Sequence, residues 1–392
     1  MKLLFSVPTG YHARELIKPL RELLTSDTAI TQVFCVTPPA TQSAIIFPEF
    51  SQKFTFIENP KDSAGHDNLM KQYQPDIVIT NTVGHDEKDY PILESAKKQN
   101  IPTLTFIASW DNVWKIERLL QNNVPVSLAD TLIVWNTMMK EHLMRIFPEL
   151  PEHVIHVIGA PRLDYFAHKE RIPTKEALYA LLGINDTTRP LLHFSTTELY
   201  PMHYLVRTVQ SAIKDNKIAS NAFLYASVHP GGNMDNHKDM ADSGVTVRYA
   251  FGRKEDSPHP SFLYNPTTED IYNLVALFKY SSVLINHSST TAIESLLADV
   301  PVINVKYGQT MDWWKWYRSM VYRDFYQHYK DITDSKGTTV VKNATQLVKT
   351  IHMYLENPQT LKEERLQTVK KMITTIDGTA SAKVIERIKL SA

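Results

Sequence analysis

Two junctions in the sequence carry residues suited to holding a phosphate. In SSVLINHSSTTAIESLLADVPVINV, residues 281–305, an apolar run ends in His287, Ser288, Ser289, Thr290 and Thr291 before a helix-like stretch. Hydroxyls at a helix start sit beside backbone N–H groups without intrahelical acceptors and at the positive end of the dipole, which together cradle a phosphate. Glu294 falls one to two turns further on, within reach of a ribose attached to that phosphate. A plainer reading has Ser288 merely capping the helix. In LYASVHPGGNMD, a second apolar run leads to His229, Pro230, Gly231 and Gly232. A histidine there can donate a hydrogen bond to a diphosphate oxygen and stabilise a departing nucleotide. The Pro-Gly-Gly turn keeps the loop tight and lets another backbone approach closely. Alone, either motif could be structural; together in one domain they read as a ligand site.

The elements that must position these residues are legible as short apolar, β-branched runs. They are KLLFSV (2–7), VFCVT (33–37), DIVIT (76–80), PTLTFIA (102–108), TLIVW (131–135) and VIHVI (154–158). A second series follows: PLLHFS (190–195), AFLYASV (222–228), SVLIN (282–286) and PVINV (301–305). Continuous apolar runs imply strands buried on both faces, and the helical spacing between them implies parallel sheets wrapped by helices. The fold class is α/β, with two Rossmann-like doubly wound domains, over 1–185 and 186–360. The seam lies in GAPRLDYFAHKERIPTKEALYALLGINDTTRP, and residues 361–392 read as helices that could return to the first domain. In such sheets ligands bind outside the carboxyl ends of the strands, where both motifs fall.

Composition sets bounds. The 392 residues exceed one ordinary core, and Lys plus Arg equals Asp plus Glu at 42 each, so no overall field calls for nucleic acid. The single cysteine, Cys35, sits in an apolar run and permits no internal disulfide, which suits a reducing compartment. MKLLFSVPTG lacks a small-residue cleavage site, and no run approaches the ~20 apolar residues that span a bilayer. The expected location is cytoplasmic, or the inner face of the cell membrane.

The order of motifs resembles a family. His-Pro after one strand, an Asn-x-Ser-Ser-x-x-x-x-Glu helix start and then Ala-Asp-Val-Pro-Val-Ile are similar to GT-B nucleotide-sugar glycosyltransferases. The nearest branch holds surface-polysaccharide transferases, CDP-glycerol glycerophosphotransferases and UDP-N-acetylglucosamine 2-epimerase. LENPQTLKEERLQ and IDGTASAKVIERI are similar to the C-terminal helices of those transferases. The resemblance covers about the last 170 residues and is weaker over 1–190. It implies that the domains face each other across a cleft, that Ser288, Ser289 and Thr290 hold the donor phosphates, that Glu294 binds the ribose and that His229 contacts the diphosphate. The departure lies in the loop: the epimerases have glycines where this chain has Ser289 and Thr290.

By the same resemblance the first domain supplies the acceptor site and the base. The candidates stand at strand carboxyl ends: His12 in VPTGYHARE, Glu87 beside His85 and Asp86 in NTVGHDEKD, and Asp111 in ASWDNVWK. A base working near neutral pH is best served by a histidine or a buried carboxylate. Each candidate has a plain alternative: a helix start for His12, a solvated turn for Asp86 and Glu87, a helix cap for Asp111. Arg14 could neutralise an acceptor anion. The 15 histidines are scattered, no metal-ligand spacing is evident, and neither metal nor cofactor is expected.

The stretch MDWWKWYRSMVYRDFYQHY, 311–329, follows PVINV and begins at the same rim as the hydroxyl cluster. Gln309 and Asp312 are candidates for donor-sugar contacts. The aromatics could stack on a sugar or rest on a membrane surface, while the plain reading has most of the tryptophans packed against the other domain. The expected function is metal-independent transfer of a sugar from a nucleotide-sugar donor to a glycan or lipid-linked glycan acceptor in surface-polysaccharide biosynthesis. Alternatives are nucleotide-sugar 2-epimerisation, CDP-polyol phosphotransfer and non-catalytic binding of a nucleotide or glycan.

Overall fold

The computed structural model describes every residue except 86, 87 and 198. The chain divides into two compact units. The first comprises Met1–His168, Lys254–Thr268 and Ile373–Ala392; the second comprises Lys169–Arg253 and Glu269–Met372. The change of unit at residue 169 lies within the expected seam, upstream of the 185/186 boundary. The segment Lys254–Thr268 is an exchange that strand patterning does not register, because it contains no strand.

In the first unit the strands are β1 (Lys2–Ser6), β2 (Gln32–Thr37), β3 (Phe54–Glu58), β4 (Ile77–Thr80), β5 (Thr103–Phe106), β6 (Thr131–Val134) and β7 (Ile155–Val157). They form one sheet in the order β3-β2-β1-β4-β5-β6-β7, parallel throughout, with Leu3 opposite Val33 on one side and Ile77 on the other. Residues of β4 and β5 are all buried, as expected when helices cover both faces. Cys35 is among the buried residues of β2, and burial pushes its thiol pKa up.

The second unit contributes β8 (Leu191–Ser195), β9 (Phe223–Val228), β10 (Thr246–Tyr249), β11 (Val283–Asn286), β12 (Val302–Val305) and β13 (Thr339–Val341). Their order is β10-β9-β8-β11-β12-β13, again parallel. Leu192, Phe194, Ile285 and Ile303 join Val206, Val209, Leu347 and Ile351 from flanking helices in its core. All ten expected strands are present. The three that the apolar pattern omits, β3, β10 and β13, are edge strands, half exposed and so less uniformly apolar.

The chain's end splits between the units. Helix Lys362–Met372 stays with the second and packs on helix Thr291–Leu297. Its buried Arg365 holds Asp299 at 2.8 Å and donates to the carbonyls of Thr360 and Pro358. Helix Ala380–Ser391 belongs to the first, where the Asp164 carboxylate accepts the opening amides of Ala380 and Ser381 at 3.1 and 2.6 Å.

Candidate functional site

Because β8, β9, β11 and β12 run parallel, their carboxyl ends meet at one edge of the second sheet. β9 and β11 both flank β8, so the segments beginning at His229 and His287 emerge about 10 Å apart, two strand spacings. That span suits a diphosphate and its attached group.

The turn after β9 closes with Gly232 N donating to the His229 carbonyl at 2.8 Å. Gly231 N donates to His229 Nδ1 at 3.1 Å. His229 is exposed, and with Nδ1 accepting, a neutral ring carries its hydrogen on Nε2. Arg253 donates to the Pro230 carbonyl and lies over the Tyr249 ring at 4.7 Å, bringing a guanidinium to the same turn. Sequence reading misses Arg253 because β10, which precedes it, carries no apolar run.

The loop after β11 is more tightly bonded than its hydroxyl content suggests. The helix begins at Thr291, later than residue 288, and runs to Leu297 with Thr290 at its N-cap. Ser288 Oγ donates to Asp324 Oδ2 at 2.9 Å, away from any capping position. The Ser289 amide donates to the buried Tyr329 hydroxyl, whose pKa burial raises. Ser289 Oγ accepts the Thr291 amide at 3.3 Å and lies 2.9 Å from Thr291 Oγ1, which is 3.1 Å from Ser195 Oγ at the end of β8. Thr290 uses no side-chain oxygen in capping. Glu294, 4% exposed, is buried one turn into the helix. Beneath the loop, Tyr329, Asn286, Asn304 and Thr338 form a buried hydrogen-bonded network. His287 anchors the loop: Nδ1 donates to the Val305 carbonyl at 2.9 Å, and burial drops its pKa to about 4, leaving the ring neutral.

After β12, Gly308 is required by close approach, since a Cβ there would lie 2.5 Å from Trp316 Cβ and from the Tyr200 hydroxyl. Gln309 follows, with its amide on the Tyr200 hydroxyl at 3.1 Å and Oε1 3.1 Å from His203 Nε2. Asp312 is half-buried and pairs with Lys315 at 3.4 Å. Of the three tryptophans in this stretch Trp316 is buried, but within its own unit, against Tyr200 and His287, where the plain reading has packing on the other domain; Trp313 and Trp314 are exposed.

In the first unit, His12 follows β1, His85 follows β4 and Asp111 follows β5, three adjacent strands. Thr9 caps the Gly10–His12 turn, accepting the His12 amide at 3.2 Å, and its hydroxyl lies 2.8 Å from His12 Nδ1. Gly10 is needed here, since a Cβ would come 1.9 Å from the Tyr264 carbonyl oxygen. Pro19 has no N–H to continue the ladder, and the helix ahead of it widens to a π turn over Ala13–Ile17. His12, 1% exposed, meets His85 edge-on with centroids 5.0 Å apart, and Tyr11 stacks on His85 at 5.3 Å. Asp111 stands at the N-cap of helix Asn112–Gln121 without capping it; its carboxylate takes the Ser109 hydroxyl and pairs with Lys115 at 2.8 Å. Glu87, with Asp86, lies outside the described residues. Arg14 pairs with Glu15 at 3.3 Å. Sequence reading overlooks the buried partner of that pair, Arg162, whose Nε lies 2.8 Å from Glu15 Oε2. Burial, then the Glu15 charge, pushes the Tyr11 phenol up, against the pull of Arg162 and Arg14.

A family model described as CDP-glycerol:poly(glycerophosphate) glycerophosphotransferase matches residues 82–390. No curated protein matches the chain. Among solved structures, UDP-GlcNAc 2-epimerase from Neisseria meningitidis, bound to UDP-GlcNAc, is similar with TM-score 0.61 and 14% identity over 100% of both chains. UDP-GlcNAc 2-epimerase from Methanocaldococcus jannaschii gives 0.63 and 14%, also over 100% of both chains. A glycosyltransferase from Rickettsia africae gives 0.56 and 14%, over 100% of this chain and 99% of that one. These likenesses show the GT-B fold. The family match takes in Asp111, His229 and the Ser288–Thr291 loop and begins after His12. On a match of this extent, the chain belongs to the CDP-glycerol:poly(glycerophosphate) glycerophosphotransferase family.

Proposed function

We propose that the chain is a transferase whose donor is a nucleotide-activated group, with a CDP-linked polyol, which gives up its polyol phosphate, as the first reading. The observation that carries it is the carboxyl edge of the second sheet, where the His229 turn, Arg253 and the Thr290 helix start stand two strands apart, in a chain of this family. His229 Nε2–H and Arg253 bind the diphosphate and stabilise the departing nucleotide. Thr290 and the opening amides of its helix hold the phosphate next to the transferred group, on a loop shaped by Ser288 and Ser289. Glu294 sits behind them toward the ribose. Gln309 and Asp312 contact the transferred group.

In this reading an acceptor hydroxyl attacks the β-phosphorus of the donor. The new O–P bond forms as the bond to the bridging oxygen breaks, and CMP leaves with that oxygen. A base in the first unit takes the hydroxyl proton; His12 is the first choice, followed by Asp111 and Glu87. Positive groups supplied by the protein offset the phosphate charge, so chelation with EDTA leaves the rate unchanged.

Sugar transfer is the second reading, favoured by the shared fold with a glycosyltransferase. The acceptor then attacks the anomeric carbon and a nucleoside diphosphate leaves. A 2-epimerase would isomerise UDP-GlcNAc with no acceptor. Chromatography of the released nucleotide separates the three: CMP formed only with CDP-glycerol and an acceptor supports the first, a nucleoside diphosphate from a nucleotide sugar the second, and an isomerised donor the third.

A further inference from the structure

We infer that Thr9 and Asn81 are positioning residues for His12, holding its ring in one place and in the tautomer with the hydrogen on Nδ1. The inference deepens the reading of His12 as the base and takes its catalytic meaning from that reading.

His12 is buried in the first unit, on the turn that follows β1. It is held at three atoms. Its amide donates to Thr9 Oγ1 at 3.2 Å, and its ring Nδ1 lies 2.8 Å from the same oxygen. Its carbonyl accepts from Asn81 Nδ2 at 2.9 Å. Asn81 is buried and comes directly after β4, the strand beside β1. Asp89, also buried, fixes Asn81 in turn. Its carboxyl group accepts the Asn81 and Thr82 amides at 3.0 and 2.8 Å, together with the hydroxyl of Ser6, the last residue of β1. The His85 amide donates to the Thr82 carbonyl at 2.8 Å, so both histidines hang on this one cluster. A second buried asparagine, Asn112, donates to the Val83 carbonyl at 3.3 Å and ties in the turn that carries Asp111.

The sheet does not need this cluster in order to close. β1 and β4 already pair from Leu3 with Ile77 to Phe5 with Ile79. Burying an acid and two carboxamides beyond the strand ends carries a desolvation cost that their hydrogen bonds offset. What the cluster adds is a fixed relation between three turns, the requirement for keeping a reactive side chain in register with its substrate.

Thr9 decides the tautomer. A hydroxyl oxygen has two acceptor sites and one hydrogen. Thr9 is half-buried, so its hydrogen can go to solvent while the oxygen accepts both the His12 amide and Nδ1–H. The neutral ring then keeps its lone pair on Nε2, as a base requires. Donation in the opposite sense, from Thr9 O–H to Nδ1, would place the ring hydrogen on Nε2 and occupy the lone pair.

The test reads the ring directly, by long-range 1H–15N correlation on the full chain labelled at histidine, with His12→Asn identifying the signal. With the ring neutral, the parent is expected to show a protonated Nδ1 and a bare Nε2. Thr9→Ser keeps the hydroxyl and should keep that pattern. Thr9→Val keeps the shape without the oxygen, and its two ring nitrogens should average between tautomers. Asn81→Ala should split or broaden the His12 signal. In turnover, followed as CMP released from CDP-glycerol with glycerol as the acceptor, Thr9→Val and Asn81→Ala should each lower kcat about tenfold with donor KM within about twofold. Neither should lower it further in the His12→Asn background. A protonated Nε2 in the parent, or a Thr9→Val spectrum equal to the parent's, overturns the inference. An Asn81→Ala loss that persists in full without His12 overturns it as well. The spectra need no substrate, so they fail or hold apart from the reading of His12 as the base, which falls if His12→Asn turns over at the parent's rate.

Discussion

The Ser288 hydroxyl donates to the Asp324 carboxylate at 2.9 Å, so a residue of the proposed phosphate loop is oriented by an acid from the aromatic segment 36 positions away. A hydroxyl has one hydrogen, and with it on Asp324 Ser288 can only accept. Ser288 therefore positions the loop, and donation to an anion passes to Thr290 and the helix amides.

Thr290→Val is expected to weaken CDP binding about tenfold, the loss of one hydrogen bond to a charged group. Ser288→Ala should cost less than about threefold, because it touches the anion only through loop shape. Isothermal titration of both variants checks the ranking; a larger loss for Ser288→Ala would mean that the hydroxyl turns from Asp324 to the phosphate.

His12→Asn keeps a polar group near the place of Nδ1, beside Thr9, but removes the imidazole base. If His12 takes the acceptor proton, kcat falls about a hundredfold or more while donor KM stays within about twofold. The acid limb of the pH–rate profile disappears with it. A variant with wild-type kcat would transfer the role to Asp111 or Glu87.

Burial holds His287 at a pKa of about 4 and His193 at about 3. Both are neutral in the folded chain near pH 7, whereas an unfolded histidine titrates near 6.5. Below that value the unfolded chain binds protons that the folded one excludes, so stability present above pH 6.5 is lost as pH falls toward 4. Urea unfolding at pH 7 and about pH 5 should differ by on the order of 2 kcal/mol per ring. His287→Asn should remove part of that dependence; an unchanged dependence would show that His287 is protonated in the fold.

Arg365 is buried while its partner Asp299 is 44% exposed in its side chain, so solvent screens part of the pair. Arg365→Ala also strips donors from the carbonyls of Thr360 and Pro358. A loss of about 2 kcal/mol in urea unfolding is expected. A neutral result would mean that helix Lys362–Met372 is held by its apolar contacts alone.

Sequence showed most of this because buried parallel strands must be apolar on both faces, which marks every interior strand. The edge strands β3, β10 and β13 pack on fewer sides, tolerate polar residues and escape the pattern. The His229 turn was equally visible, since Pro-Gly-Gly directly after a strand has few other uses. What stayed hidden depends on long-range pairing: Arg162 meeting Glu15, Arg253 reaching Pro230, and Asp324 taking the Ser288 hydrogen. Those partners lie 147, 23 and 36 positions apart, and no local spacing encodes them. The tryptophans misled for a related reason, because aromatic content alone does not separate the inward ring of Trp316 from the outward rings of Trp313 and Trp314.

The central claim, that a nucleotide diphosphate docks at the carboxyl edge of the second sheet, is tested most directly by calorimetric titration of the full chain with CDP, UDP, GDP and CMP, repeated on His229→Ala. Saturable binding of one diphosphate, CDP on the first reading, that weakens about tenfold or more on loss of the His229 donor is the expected result. Absence of binding by any of the four, or an affinity that His229→Ala leaves untouched, would contradict it.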